Sequence, residues 1–339
     1  MKKLSYIASL FLLLPKYASA HVKWFVDSEN IIATSHQTNP FYSWGSTEVL
    51  AWSGIVLVTV FVFSVIDGHI KTPNKLLSFG LTHEKSISRI AQIVLGLFLV
   101  SVSFLWKIVI IPEMHVATVT TTILEYIQIA IGLMYIFNIK PQIASLGLIA
   151  LTVSASFSGE GFITILENAI LISLAAYFYI IHAREDSRVS LLFKKHAVEI
   201  VRIGTGISLI TLAFTEKFLY PELSLQFLQI HHWNFMQPLF PWFTNELFVL
   251  STGFAEMIFG ILFIMGYITR VTTILIAVFF GLSVTTMLIQ FHAWEVEDLV
   301  VYAAAILFIF FGHGRTKFFH FMWKDSFLHR GILKKTESL

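Results

Sequence analysis

The sequence contains no cysteine and little charge: of its 339 residues, 13% are Asp, Glu, Lys or Arg. Without cysteine, the chain cannot form a disulfide, a thiolate-held iron–sulfur cluster, a thioether-linked haem or a Cys-type zinc site. Soluble domains average about 25% charged residues, so charge this sparse cannot cover a water-soluble globule of 38.5 kDa. A mean hydropathy of +0.76 instead indicates an integral membrane protein, and the formal charge of +2 argues against a nucleic-acid partner.

Residues 1–20 have the pattern of a secretory signal peptide. Two lysines form a positive n-region, an apolar run follows, and residues 18–20 read Ala-Ser-Ala, an A-x-A cleavage site. The apolar run is too short to cross a hydrocarbon core of about 30 Å, which needs about 20 residues. Cleavage after Ala20 would make His21 the first residue of the mature chain and would place the N-terminus in the periplasm.

The rest of the chain contains nine apolar stretches long enough, or nearly long enough, to span a bilayer. They lie at about residues 47–66, 88–111, 117–138, 142–158, 162–181, 198–219, 246–267, 271–290 and 296–312. We therefore expect an all-α, polytopic helical membrane protein with about nine transmembrane helices.

The distribution of positive charge tests this topology. With the mature N-terminus outside, seventeen lysines and arginines fall on the cytoplasmic side and three on the periplasmic side. This asymmetry follows the positive-inside rule. It predicts a multi-pass protein of the bacterial inner (cytoplasmic) membrane whose C-terminus is cytoplasmic and whose immediate surroundings are the lipid bilayer.

Two halves of the chain align as a repeated four-helix unit in which both copies enter from the cytoplasm. The aligned positions are Arg89 with Arg202, Phe104–Lys107 with Phe214–Lys217, Glu125 with Glu256, and Glu167-Asn168 with Glu297-Asp298. The predicted organisation is a signal peptide (1–20), a periplasmic segment (21–46), a leading helix and cytoplasmic loop (47–86), a first unit (87–197), a second unit (198–314) and a basic cytoplasmic tail (315–339).

The second unit resembles the DoxX family of small four-helix bacterial membrane proteins. The resemblance is carried by the stretch LAFTEKFLYPELSLQFL, by Glu256 followed by glycines, and by Arg270. The first unit matches less well, since Trp106-Lys107 stands where the family has Glu-Lys. The resemblance implies two DoxX-like bundles behind one leading helix and an association with quinone-linked redox systems. Fold transfers through such a resemblance better than function.

Charged groups inside the predicted helices are the first candidates for a functional site, because charge in a bilayer is costly. We select Glu256, Glu216, Lys217, Glu297 and Asp298 as catalytic candidates, and Glu125 and Glu167 as cofactor-binding candidates. All lie in the predicted outer half of the membrane. One interpretation is that the lysines pair with carboxylates as interhelical clamps. The other is a quinone head-group site or a proton path.

Histidines on the predicted periplasmic side are candidates for a metal site. A mature N-terminal His21 offers its amine and its imidazole to one metal, as in the histidine brace of copper proteins, and nitrogen ligands suit Cu(II). Candidate partners are His36, His115, His231 and His292. The alternative is that histidine stands at the first mature position by chance.

The favoured hypothesis is a membrane component of a redox process, with a quinone or proton site, a candidate periplasmic copper centre and a redox partner subunit. Whether the chain is itself an enzyme stays open. The alternative is a non-enzymatic scaffold or a transport-type protein, in which the carboxylates hold the bundles together or line a solute path. A bound redox cofactor would favour the first hypothesis.

Overall fold

The computed structural model describes residues 43, 45–69, 74–112, 114–157, 161–231, 234–291, 296 and 298–313. In this part of the chain every regular element is helical. In chain order the helices are α1 (Thr47–His69), α2 (Asn74–Thr82), α3 (Glu84–Ser101), α4 (Val119–Phe137), α5 (Pro141–Ser156), α6 (Phe162–Glu167), α7 (Ala169–Ile181), α8 (Arg188–Phe193), α9 (Ala197–Ala213), α10 (Pro221–His231), α11 (Asn245–Met265), α12 (Thr269–Phe291) and α13 (Leu299–Phe311). The predicted signal peptide, periplasmic segment and basic tail lie outside the described residues.

Five helical segments are long and apolar enough to cross a membrane. They are Thr47–Asp67, Glu84–Trp106, Val119–Phe137, Arg188–Phe218 and Asn245–Met265. Four shorter apolar helices cover the remaining predicted positions: Pro141–Ser156, Ala169–Ile181, Thr269–Gly281 and Leu299–Phe311. For the described residues, an all-helical fold with several helices long and apolar enough to cross a membrane is therefore confirmed. The total of nine spans stays a prediction.

The stretch 162–181, predicted as one helix, forms two. Asn168 separates α6 from α7 with φ −97° and ψ 17°, and its side-chain amide donates to the carbonyl oxygen of Thr164 at 2.9 Å. Asparagine competes in this way for backbone groups that would otherwise continue a helix. The break leaves Glu167 and Asn168 at a bend between two helices, where side chains reach the interior.

A π-helical turn widens the end of two long helices. The turns are Val102–Trp106 after α3 and Phe214–Phe218 after α9. Lys107 directly follows the first turn, and Lys217 lies within the second. Single π turns of this kind are frequent at functional sites because they rotate the side chains that follow out of α-helical register.

Three arginines near the start of one helix satisfy carbonyl groups at the end of another. Arg89 donates to Tyr135 and Ile136, Arg202 to Phe263 and Ile264, and Arg270 to Ile309 and Phe310. The last carbonyls of a helix lack intrahelical partners and carry its partial negative charge. These contacts fix α4, α11 and α13 against neighbouring helices and set which polar side chains meet inside the bundle.

The leading helix α1 has a lipid-exposed character. In the most apolar 18-residue stretch of α1, 11% of the residues are buried. Leu57 and Phe61 expose 72% and 67% of their surface. It packs against α11 through Val49, Val56 and Phe254. Apolar side chains this exposed are unfavourable in water and suit a hydrocarbon environment, so we describe the protein as membrane-spanning.

Candidate functional site

Lys217 lies between two carboxylates in the π turn that follows α9. Its Nζ is 3.1 Å from Oε2 of Glu216 and 3.1 Å from Oε1 of Glu256 on α11. The side chain of Glu216 is fully buried, and that of Lys217 is 9% exposed. The turn is stabilised by an i→i+5 hydrogen bond from Leu219 to Phe214 at 2.8 Å. The predicted pairing of Lys217 with intramembrane carboxylates is therefore present.

A second element holds the backbone of this cluster in place. Ser224 on α10 donates its hydroxyl to the carbonyl oxygen of Glu216 at 2.8 Å. The stretch between the predicted membrane helices at 198–219 and 246–267 thus contributes a helix whose serine supports the site. Only the Pro-Glu-Leu start of this helix is a signal in the sequence, because Pro is favoured in the first turn of a helix.

Glu216 also lines a pocket between the two halves of the chain. Glu167 and Asn168 from the α6–α7 bend line the same pocket, together with Ser208 of α9. Apart from Thr205 and Thr273, the remaining walls are apolar. They come from α3 and the loop that follows it, and from α7, α9, α11, α12 and α13. The structure thus brings together two predicted site residues, Glu167 and Glu216, that the sequence alignment had placed in different units.

The size of the pocket limits what it can hold. Its volume is about 90 Å³. A liquid water molecule occupies about 30 Å³, whereas a cavity that binds benzene measures about 150 Å³. The pocket in this conformation is therefore small, comparable in volume to a few water molecules.

The Glu216–Lys217–Glu256 cluster can hold or release a proton. Oε2 of Glu256 is buried and has no hydrogen-bond partner among the described residues. When all three groups are ionised they carry one net negative charge, which is costly in a low-dielectric interior. A proton on one carboxylate removes that charge and supplies a hydrogen-bond donor.

The corresponding pair in the first half of the chain is built differently. Lys107 Nζ is 2.8 Å from Oε1 of Glu125, but the Lys107 side chain is 63% exposed. Its ammonium also lies 5.8 Å from the centre of the Phe104 ring. Glu125 does not line the pocket. Of the predicted cofactor-binding pair, Glu167 reaches the pocket and Glu125 forms a separate ion pair near the surface of the bundle.

The other predicted site residues are distributed as follows. Asp298 is buried at the start of α13, and Glu297 lies outside the described residues. His115 is exposed in the loop between α3 and α4, where its backbone pairs with Ile108. His21, His36 and His292 lie outside the described residues, as does the side chain of His231. Within the described part of the chain no group of three or more metal-binding side chains occurs, so the copper site stays a prediction.

Sequence reasoning missed two buried polar side chains beside the site. Ser208 accepts a hydrogen bond from the backbone nitrogen of Ile170 at 2.9 Å, which joins α9 to α7. Gln128 accepts from the backbone nitrogen of Ile110 at 2.8 Å and so fixes the loop that borders the pocket. Neutral polar residues in apolar helices are common, so neither carries a distinct sequence signal.

The site as a whole is a small pocket lined by Glu167 and Glu216. Beside it lies the buried Lys217, which is shared by Glu216 and Glu256. This site can exchange protons and can hold helices together, and both properties depend on the same side chains. Comparison with protein-family models, with curated proteins and with solved structures finds no match for this chain.

Proposed function

We propose that the protein is a DoxX-like, multi-pass membrane component of a quinone-linked redox process, in which the pocket carboxylates exchange protons. The observation that carries this proposal is the pocket shared by Glu167 and Glu216, next to Lys217 and Glu256. A buried carboxylate beside a few waters is the usual component of a proton relay in a membrane. We assign the pocket proton exchange and no step that involves the quinone itself, because its volume of about 90 Å³ is comparable to that of a few waters.

Matched contacts support the further proposal that the chain contains two related four-helix units. Both halves have a π turn before or at a lysine, an arginine that caps a helix end, and a glycine pair at a helix crossing. The lysine pairs with a glutamate of the next long helix in both. The second unit, where the lysine is buried and shared by two carboxylates, is the one to which we assign proton exchange.

The proposal is tested with membranes that contain the full chain or its Glu→Gln variants. We expect Glu216→Gln and Glu256→Gln to lower the rate of quinone reduction by membrane-bound donors at least several-fold, while Glu125→Gln leaves it close to the wild-type rate. Infrared spectra should show a protonated carboxyl band that is lost in one of the first two variants. Wild-type rates in folded Glu216→Gln and Glu256→Gln would contradict the proposal.

A second candidate function is a scaffold or transport-type protein. It is favoured by the two lysine–glutamate pairs, each of which joins the end of one long helix to the next, as an interhelical clamp does. On this hypothesis, Glu256→Gln reduces folded yield and leaves no separable activity. The two proposals differ in whether a folded variant without activity can be isolated.

The predicted orientation, inner-membrane location and copper site also remain proposals. Elemental analysis of protein purified after native signal processing tests the last of these, with the mature N-terminus checked by intact mass. Near-stoichiometric copper that is lost in His21→Ala would support a periplasmic copper centre. Absence of copper from wild-type protein that begins at His21 would end that hypothesis.

A further inference from the structure

A second pocket lies where the ends of several helices meet. Its volume is about 720 Å³, within the range of about 300–1,000 Å³ typical of small-molecule sites. Its walls come from α2, from the starts of α3 and α9, from the ends of α7 and α13, and from α8. Since these are the ends of apolar helices, the pocket lies at one boundary of the membrane, which the charge distribution predicts to be the cytoplasmic one.

Two short elements at this boundary have the character of interfacial helices. In α8, Leu191 and Leu192 expose 69% and 60% of their surface, and Lys194 and Lys195 follow directly. Exposed apolar side chains next to lysines are typical of segments that lie in the head-group region. The other element, α2, has nine residues, which is too few to span a bilayer.

Close backbone packing holds α2 against the bundle. A Cβ built on Gly80 would lie 2.9 Å from the carbonyl oxygen of Phe310, and the ring of Phe79 lies 5.9 Å from that of Phe310. Leu77 and Leu81 of α2 lie in the wall of the pocket, as does Leu191 of α8.

The lining of the pocket combines apolar residues with residues of both charge signs. The apolar part of the wall includes Leu77, Leu81, Ile181, Leu191 and Phe311, and the other lining residues include Lys194, Lys195, Glu84, Glu185 and His313. Tyr177 also lines the pocket, and its hydroxyl is 2.7 Å from that of Ser88. The combination is complementary to an amphipathic ligand whose polar end carries both a positive and a negative group.

We propose that this pocket binds a phospholipid with a phosphate and a primary amine in its head group, the chemistry of phosphatidylethanolamine. The ammonium groups of Lys194 and Lys195 bind the phosphate, and the carboxylates of Glu84 and Glu185 accept hydrogen bonds from the amine. An acyl chain follows the apolar wall of α2 and α8. This lipid-binding proposal requires only that the protein is embedded in a membrane. It does not depend on the Glu216–Lys217–Glu256 cluster.

The test uses the full chain, freed of lipid in detergent and exposed to equimolar phosphatidylethanolamine, phosphatidylcholine and phosphatidylglycerol, with bound lipid identified by native mass spectrometry. We expect phosphatidylethanolamine to be retained about tenfold over phosphatidylcholine, equivalent to about one charge-assisted hydrogen bond. The combined Lys194→Gln and Lys195→Gln variant should lose this retention. Lys140→Gln replaces an exposed lysine that does not line the pocket; it is the control and should retain the lipid as wild type does.

A second variant separates head-group recognition from loss of folding. Glu185→Gln keeps both lysines but weakens the acceptor for the amine, so we expect the preference over phosphatidylcholine to fall while total phospholipid retention stays. Thermal unfolding establishes that each variant is folded. Equal retention of the three lipids by wild type, or unchanged retention in the folded double variant, would overturn the proposal. Either result would favour another occupant of the pocket, such as the basic tail of the chain.

Discussion

Gly206 on α9 and Gly260 on α11 approach so closely that neither position has room for a side chain. A Cβ built on Gly206 would lie 2.6 Å from the carbonyl oxygen of Gly260, and one built on Gly260 would lie 2.8 Å from that of Gly206. Gly96 and Gly132 repeat this relationship between α3 and α4 at 2.7 and 2.9 Å. Small residues at a membrane helix crossing permit such backbone contact. The Gly206–Gly260 crossing lies on the two helices that bring Lys217 to Glu256.

Gly206→Ala is therefore expected to force α9 and α11 apart. Because the obstructing atom is backbone, the helices must shift, and overpacking of this kind costs about 1–3 kcal/mol in free energy of unfolding. The measurement is thermal or denaturant unfolding in detergent. Gly54→Ala in α1 is the matched control, since a Cβ there meets nothing within 4 Å. Equal stability of the two variants would show that the crossing is not tightly packed.

Lys217→Met is expected to be strongly destabilising. It leaves Glu216 and Glu256 buried without the ammonium that they share, and removal of one partner of a buried ion pair typically costs about 3–5 kcal/mol. Lys107→Met should cost less, because the Lys107 side chain is 63% exposed and water can take over part of its interaction with Glu125.

Unfolding measurements on a third variant establish the cause of this loss. Lys217→Met combined with Glu256→Gln should recover part of the lost stability, because it removes one of the two uncompensated charges. A double variant as unstable as Lys217→Met alone would indicate that lost packing, and not unpaired charge, destabilises the single variant.

The sequence predicts the charged pairs of the site better than it predicts the pocket. Lysines and glutamates are so rare in apolar helices that a pairing of Lys217 with Glu256 follows from their burial cost. The convergence of Glu167 and Glu216 depends on the break at Asn168 and on the π turn that contains both Glu216 and Lys217. Both features change the direction in which side chains point, and hydropathy carries no information about either. The interfacial elements α2 and α8 were likewise missed, because they are too short to give an apolar run.

Asp67 ties the leading helix to the second half of the chain. Its Oδ1 accepts a hydrogen bond from the backbone nitrogen of Ile268 at 2.9 Å. Burial, and then the charge of Asp67, raises the pKa of the neighbouring Tyr267. We expect Asp67→Ala to loosen the α11–α12 turn and speed hydrogen exchange at the Ile268 amide about tenfold or more, since a hydrogen bond to a charged group contributes about 1.5–3 kcal/mol. Asp67→Asn keeps an acceptor oxygen and should retain most of the protection. Exchange in Asp67→Ala at the wild-type rate would show that α1 docks without this contact.

His182, just beyond the end of α7, should make the stability of the protein depend on pH. Burial, together with the positive charge of Arg89, lowers the pKa of His182, although its hydrogen bond to the Phe178 carbonyl oxygen acts in the opposite direction. The unfolded chain, with a histidine pKa of about 6.5, then takes up a proton before the folded chain does. Stability is therefore complete above about pH 6.5 and decreases as the pH falls below it.

Replacement of this histidine provides the test. Thermal unfolding between pH 7.5 and 5 should show a smaller decrease for His182→Gln than for wild type, because glutamine takes up no proton in either state. His83 makes the same kind of hydrogen bond, to the Phe79 carbonyl oxygen at 3.0 Å, but is exposed. His83→Gln is the control for replacing a histidine with this hydrogen bond at an exposed position. The same decrease in all three proteins would assign the acid sensitivity to other groups, and burial of His182 would then have no measurable part in it.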